Sequence, residues 1–343
     1  MTPPAVSTPA APDDVLLDVN DLVVRFPAAR RPFGRASFVH AVDGVSFRVR
    51  RGTSFGIVGE SGSGKSTTAQ AVMRLVPATA GQVVFQGTDI MPLRGEALRQ
   101  TRRHLQIVFQ DPFSALDPRR RAGDQIREPL DLLGIGTPVE RKARVAQLLA
   151  EVGLPPASAE LFPHQFSGGQ RQRLCIARAL APEPDLIVCD EAVSALDVAI
   201  QAQILNLLKA LQRQRGLTYI FISHDLGVIQ RFCDEVAVMY LGRIVEQAPA
   251  GVLFSAPRHP YTWSLMAAAA PPGPLRNALK ARYLARGDPP SPVDPPPGCR
   301  FAQRCAFAQD RCRATDPVLD ATADAHLVAC HRLGELPAPD LRG

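Results

Sequence analysis

The sequence has 343 residues, 46% of them hydrophobic, with 39 Lys and Arg against 33 Asp and Glu for a formal charge of +6 at pH 7. That allows one large α/β domain with an appendage, or two medium domains, around a full buried core. It excludes a membrane-spanning helix, since no run nears the ~20 apolar residues required, and the slight positive charge gives no argument for nucleic acid.

Residues 1–14 are rich in Pro, Ala and Thr and predict a disordered lead-in. They lack a basic stretch followed by an apolar run, so no secretory signal is expected and the chain reads as cytoplasmic. Val15 to Phe26 alternates apolar and polar residues and predicts a strand. Pro27 to Arg35 is a basic loop, and Ala41 to Arg50 is a second strand that turns at Arg51-Gly52. Ser54 to Gly59 then runs into Gly59-Glu-Ser-Gly-Ser-Gly-Lys65-Ser66, and Ser66 to Leu75 predicts a helix. Strand, glycine loop and helix in this order form the context of a P-loop. Glycines at 59, 62 and 64 allow backbone N–H groups to close on phosphate oxygens, helped by the following helix N-terminus. The ATP-binding residues expected here are Gly59, Ser61, Gly62, Ser63, Gly64, Lys65, Ser66 and Thr67. Lys65 is placed on the β- and γ-phosphates and Ser66 on Mg²⁺.

Residues 94–184 carry mostly helix-period patterns, clearest in Arg144 to Leu154. Within them, Ser167-Gly-Gly-Gln170 opens an Arg-rich helix, a second helix start able to hold an anion. One nucleotide needs only one such site, so the second is reconciled if it serves a nucleotide held by another protomer. Leu186 to Asp190 is a short apolar run, expected to be a strand buried on both faces. It ends in Asp190, suited to Mg²⁺, and Glu191, suited to polarising the attacking water. A long amphipathic helix over 201–216 and a buried strand over 218–224 follow. Alternating strands and helices predict a mostly parallel sheet with helices on its faces. Cys175, Cys189 and Cys233 lie in apolar segments and read as small core residues. After residue 257 the composition turns Pro-rich around Cys299, Cys305, Cys312 and Cys330, marking a separate appendage.

The P-loop, Gln110 after a strand, SGGQ, DE followed by SALD, and an isolated His224 after a strand occur in the order found in the ATPase domains of ABC transporters, which this chain resembles. The fold implied is an α/β P-loop NTPase of the ABC type. It has a mostly parallel core sheet, an N-terminal antiparallel β subdomain and a helical subdomain at about 111–181. By that resemblance Gln110 senses Mg²⁺ and couples to the membrane subunits, Glu191 is the base, and His224 contacts the γ-phosphate. Ser167, Gly168, Gly169 and Gln170 contact ATP bound to the opposite protomer, and Asp197 lies in the loop crossing the dimer interface. The aromatic expected to stack on adenine is Phe26, with Phe38 and His40 as rivals.

VFQDPFSALDPR, DEAVSALDVAIQAQ and RHPYT narrow the resemblance to ATPase subunits of oligopeptide and dipeptide importers, relatives of those that move nickel or glutathione. Phe166 and Ala192 depart from the usual Leu and Pro without removing a catalytic group. The resemblance implies ATP-driven uptake at the cytoplasmic face of the membrane. Its partners are two permeases, a second identical or related ATPase, and a solute-binding protein reached through the permeases. The domains expected are an ATPase unit over 15–256 and a C-terminal extension over 257–343. The extension is similar to segments some of which carry a [4Fe–4S] cluster. The spacing of its four cysteines leaves iron–sulfur and zinc both open, with His331 read as a surface residue. Soluble ABC ATPases of translation or repair, and exporter ATPases, are the rival classes. The first usually carry two cassettes or a coiled-coil insertion and the second fused membrane helices; neither feature is in this chain.

Overall fold

A computed structural model describes residues 14–28, 37–270, 273–285, 287–293, 295–322 and 325–336. Apart from Asp14, the lead-in expected over 1–14 lies outside the described residues, as does most of the basic loop after Pro27.

The alternation of the first two segments forms β1 (Val15–Pro27) and β2 (Phe38–Arg50), which pair antiparallel. Leu17, Val19, Leu22 and Val24 are buried with Val42, Val45, Phe47 and Val49. β3 (Ser54–Val58) leaves for a second sheet and runs into α1 (Lys65–Val72). This helix stops short of the expected Leu75, because Arg74 adopts a left-handed φ of 56° and donates to the carbonyls of Ile90 and Met91. β4 (Ala80–Phe85) and β5 (Thr88–Asp89) complete a four-stranded antiparallel sheet in the order β2-β1-β4-β5.

The next stretch contains α2 (Gly95–His104), β6 (Leu105–Val108), α3 (Pro112–Ala115), α4 (Ala122–Leu133), α5 (Pro138–Glu151) and α6 (Gly168–Leu180). α5 starts on a reciprocal cap between Thr137 and Glu140. Leu130, Leu148, Leu149 and Leu174 join α4, α5 and α6 to the core beneath the sheet. β7 (Leu186–Asp190), α7 (Val198–Arg215), β8 (Thr218–Ser223), α8 (Leu226–Phe232), β9 (Glu235–Tyr240) and β10 (Arg243–Pro249) follow. Every residue of β3, β7 and β8 is buried, as expected for strands covered on both faces. Cys175, Cys189 and Cys233 are buried in the same core. β3 pairs parallel with β8 and β9, β8 with β7, and β7 with β6. The carboxyl ends of these strands therefore share one edge, where an open α/β sheet binds its ligand.

The chain ends in α9 (Ala250–Ser255), α10 (Pro260–Ala269), α11 (Pro274–Tyr283), α12 (Asp310–Ala314), β11 (Asp320–Ala321) and β12 (Leu327–Val328). The appendage expected to stand apart instead extends the main sheet, whose order is β11-β12-β10-β9-β3-β8-β7-β6. The reason lies at Glu246 on β10, opposite Val328 of β12 and fully buried. Its carboxylate accepts from the backbone N–H groups of Arg258 and His259, from the Thr262 hydroxyl, and meets His326 Nε2 at 2.7 Å. Burial pulls the neighbouring His259 imidazole down to about 4, which keeps it neutral while its Nδ1 accepts from the Tyr261 N–H. Among the described residues no helix is long and apolar enough to cross a membrane.

Glu246→Ala takes the shared partner from the buried His259 N–H, Thr262 hydroxyl and His326 imidazole, so we expect urea unfolding to show a loss of at least about 3 kcal/mol. A loss under about 1 kcal/mol would mean that this carboxylate does not hold the extension to the sheet.

Candidate active site

The P-loop begins where β3 ends. Its glycines are demanded by close approach: a Cβ at Gly59 would lie 2.1 Å from the Met239 carbonyl oxygen. At Gly64 a Cβ would lie 2.2 Å from the Ala41 carbonyl oxygen, and the backbone there has φ +102°. The loop is thus clamped between β9 and β2 before α1 starts. Lys65 is buried, and its Nζ donates to the carbonyls of Gly59 at 2.9 Å and Glu60 at 2.8 Å. Burial pulls its ammonium below the ordinary lysine range, opposed by the charges of Glu191, Asp190 and Glu60. Ser61 and Gly62 are exposed at the tip, Ser63 is buried beneath it, and Thr67 is half-buried on α1.

Asp190, the last residue of β7, accepts from Ser66 Oγ at 2.8 Å, bringing the two expected Mg²⁺ ligands together. Burial raises its carboxyl above the ordinary aspartate range; the Ser66 hydrogen bond and the Lys65 charge oppose that shift and Glu191 adds to it. Glu191 has a left-handed φ of 49°. Its carboxylate accepts from Gln110 Nε2 at 2.9 Å on one oxygen and meets His224 Nδ1 at 3.3 Å on the other. Gln110, Asp190, Glu191 and His224 follow β6, β7 and β8, so the parallel pairing carries them to the P-loop edge.

Ser167, Gly168, Gly169 and Gln170 are placed elsewhere. Ser167 caps α6 reciprocally with Gln170, the Gln170 N–H donating to Ser167 Oγ and the Ser167 N–H to Gln170 Oε1. Gly168 and Gly169 lie against Leu196 and Ile200, beside Asp197, which caps α7 by accepting from the Ile200 N–H. Among the described residues no hydrogen bond joins this group to the P-loop. Phe26, at the end of β1, packs partly against the β-subdomain core. Phe38 is the more exposed ring, and His40 faces Asp43.

Cys299, Cys305, Cys312 and Cys330 line one small pocket with Phe301 and Phe307. Burial pushes the Cys299 thiol up to about 11 and that of Cys305 to about 12, with the neighbouring cysteines adding to both shifts. Four thiols are a suitable donor set for iron–sulfur or zinc. Yet among the described residues no group of three or more His, Cys, Asp or Glu side chains is arranged to hold a metal ion. The expected metal centre is therefore unsupported by this geometry. His331 Nε2 donates to the Thr315 carbonyl, 2.8 Å away.

Residues 42–194 match the model of the ABC transporter family, and residues 245–312 match the C-terminal region of oligopeptide/dipeptide transporters. An oligopeptide transport ATP-binding protein, AppF of Bacillus subtilis, is 45% identical over 324 residues, 94% of this chain and 98% of that one. The chain belongs to the ATP-binding subunits of oligopeptide/dipeptide ABC transporters. A probable peptide ABC transporter ATP-binding protein of Sinorhizobium fredii is 50% identical, covering 93% of this chain and 90% of the relative. A putative peptide import ATP-binding protein of Brucella abortus is 49% identical, covering 87% and 93%. Among solved structures, cbiO1 of Clostridium perfringens, part of an ABC transporter complex, superposes with a TM-score of 0.61 at 28% identity over 71% of this chain and 91% of its own. The cassette MJ0796, dimeric and bound to ADP and phosphate, gives 0.60 at 28% identity over 68% and 98%.

Two contacts of this ABC ATPase site have no local signal in the sequence. Tyr261 and Arg304, both from the C-terminal extension, reach Glu60 of the P-loop across 201 and 244 residues.

Gly59→Ala puts its Cβ into the Met239 carbonyl, which neither backbone can relieve cheaply. We expect ATP affinity, read with a fluorescent nucleotide, to fall more than about tenfold, and unchanged affinity would refute the clamp.

Proposed function

We propose that this subunit hydrolyses ATP to drive uptake of di- and oligopeptides through partner permeases. The observation that carries most of this reading is the convergence of Gln110 and His224 on the two oxygens of Glu191, next to the Asp190–Ser66 pair and Lys65. In that arrangement Glu191 holds the attacking water and takes its proton. The Gln110 and His224 side chains fix the carboxylate's orientation, and His224, half exposed, reaches the γ-phosphate. Lys65 and the P-loop N–H groups take the β- and γ-phosphates. Mg²⁺, when bound by Ser66, Asp190 and Gln110, supplies positive charge to the phosphate oxygens.

Each chain holds half of two ATP sites. Ser167, Gly168, Gly169 and Gln170 of one protomer face the P-loop of a second ATPase subunit, identical or related, with Asp197 at the seam. Ser194, Ala195, Asp197, Val198 and Ala199 are exposed, Val198 largely so, which supports such an interface. An open cavity of about 460 Å³ lies just before Gln110, lined by Ile107, Phe109, Leu132 and Leu133 together with the charged Arg99, Arg102, Arg178 and Glu128. A cleft with both apolar and charged lining suits an amphipathic segment of each of the two permeases. Docking there places the subunit peripherally on the cytoplasmic face of the inner membrane. Motion of Gln110 then links nucleotide state to the permeases, and peptide arrives from an extracytoplasmic solute-binding protein. Nucleic acid has no part in this cycle. We read residues 15–256 as the ATPase unit, about 111–181 as its helical subdomain, and 257–343 as the extension. Phe26 is assigned to adenine.

The four-cysteine pocket carries one finer proposal, a [4Fe–4S] or zinc centre on Cys299, Cys305, Cys312 and Cys330. Metal and acid-labile sulfide analysis of anaerobically purified protein tests it, and less than stoichiometric metal would remove it.

Glu191→Gln is expected to retain ATP binding and lose hydrolysis by at least about 100-fold. The permeases reconstituted in vesicles with this subunit should take up labelled oligopeptide only with ATP and wild-type Glu191. Hydrolysis by the variant at the wild-type rate would remove Glu191 as the base, and uptake without the subunit would refute the coupling.

A further inference from the structure

Glu60 stands inside a loop that must receive a polyphosphate, and a carboxylate there opposes the ligand's charge. Its field already reaches Lys65, whose ammonium it helps to keep charged. The structure surrounds this one residue with groups from the C-terminal extension. The Glu60 N–H donates to Tyr261 Oη at 2.8 Å, so that peptide is turned toward the extension. The Glu60 carboxylate is held by both ends of the Arg304 guanidinium, Nη1 to Oε2 at 2.7 Å and Nη2 to Oε1 at 3.2 Å. The Arg304 side chain is only 9% exposed. It also donates from Nε to the Gly287 carbonyl and lies over the Tyr240 ring, which packs against Tyr261 and Phe301. A planar guanidinium held on three sides cannot swing away as a surface lysine would. Arg304 directly precedes Cys305, and Arg300, one residue past Cys299, pairs with Asp43 next to the Arg243 guanidinium. The stretch from Cys299 to Cys305 is therefore fixed both to β2 and to the P-loop.

We propose that Arg304 is a positioning residue for ATP: it neutralises the Glu60 carboxylate and, with Tyr261, sets the P-loop backbone, so the C-terminal extension tunes nucleotide affinity. This rests on the reading that ATP binds at the P-loop. Loss of Arg304 leaves a bare carboxylate beside the phosphates, and loss of both charges removes the conflict. A role in packing alone makes no such distinction.

The test measures binding of ATP to the full chain, with thermal melting as a check on folding. Arg304→Gln should weaken binding about tenfold. It should raise KM for ATP more than it lowers kcat, and the defect should shrink as salt screens the carboxylate. Glu60→Gln combined with Arg304→Gln should recover most of the lost affinity, and Arg304→Lys, which keeps the charge without the fork, should fall between. Affinity unchanged in Arg304→Gln would overturn the proposal. So would a double variant as weak as the single one, since that outcome assigns the loss to packing of the extension. If Arg304→Gln does not fold, the comparison of Arg304→Lys with and without Glu60→Gln decides by the same criterion. A wild-type chain that binds no ATP would instead remove the reading beneath it.

Discussion

Parallel pairing of β3, β8, β7 and β6 is the constraint on which the rest of the molecule depends. Parallel strands deliver their carboxyl ends to one edge, and each end here carries or is followed by a polar or acidic group of the candidate site. The P-loop follows β3, Asp190 and Glu191 close β7, His224 follows β8, and Gln110 follows β6. The sheet must be buried on both faces for this to hold, which is why β3, β7 and β8 contain no exposed residue. Gln110 and His224, from two different strand ends, can then meet on the Glu191 carboxylate with little freedom left to lose. An orientation fixed in this way before substrate arrives is what proton transfer and phosphate stabilisation require.

The P-loop itself is held by two kinds of contact. Backbone against backbone, Gly59 on Met239 and Gly64 on Ala41, leaves no room for a side chain and fixes the loop's path. Charge and hydroxyl contacts at Glu60 come from the other end of the chain. The second set ties the loop to the extension, and the extension is tied to β10 by the buried Glu246. A chain of buried and half-buried polar contacts thus runs from β12 to the P-loop. Such networks are costly to leave half-satisfied, so each member constrains the next.

The fold class was legible because its signals are local. The alternation in Val15 to Phe26, the apolar runs at Leu186 to Asp190 and Thr218 to Ser223, and the strand–glycine–helix order around Gly59 each need only a short window. The early end of α1 was not, because it depends on Arg74 reaching the carbonyls of Ile90 and Met91. The extension read as a separate appendage because a composition shift marks a change of chemistry and says nothing about pairing. Its strands join the sheet through β10, which lies before the Pro-rich segment. The cysteine spacing suggested a metal centre, but spacing fixes only how far apart ligands lie along the chain. Folded, the four thiols line one pocket, a convergence that the spacing along the chain does not show.

By itself, the sequence determined the glycine loop between a strand and a helix, the acidic pair at a strand end, and the alternation that makes an α/β sheet. These follow from residue types at fixed short spacings, where backbone geometry and phosphate chemistry leave few choices. Only the tertiary structure decided the order β3-β8-β7-β6, the meeting of Gln110 and His224 on Glu191, and the grip of Tyr261 and Arg304 on Glu60. Those depend on which strands become neighbours and on contacts closed over as many as 244 residues. Long-range contacts of that kind are set by packing of the whole core, and no local pattern encodes them.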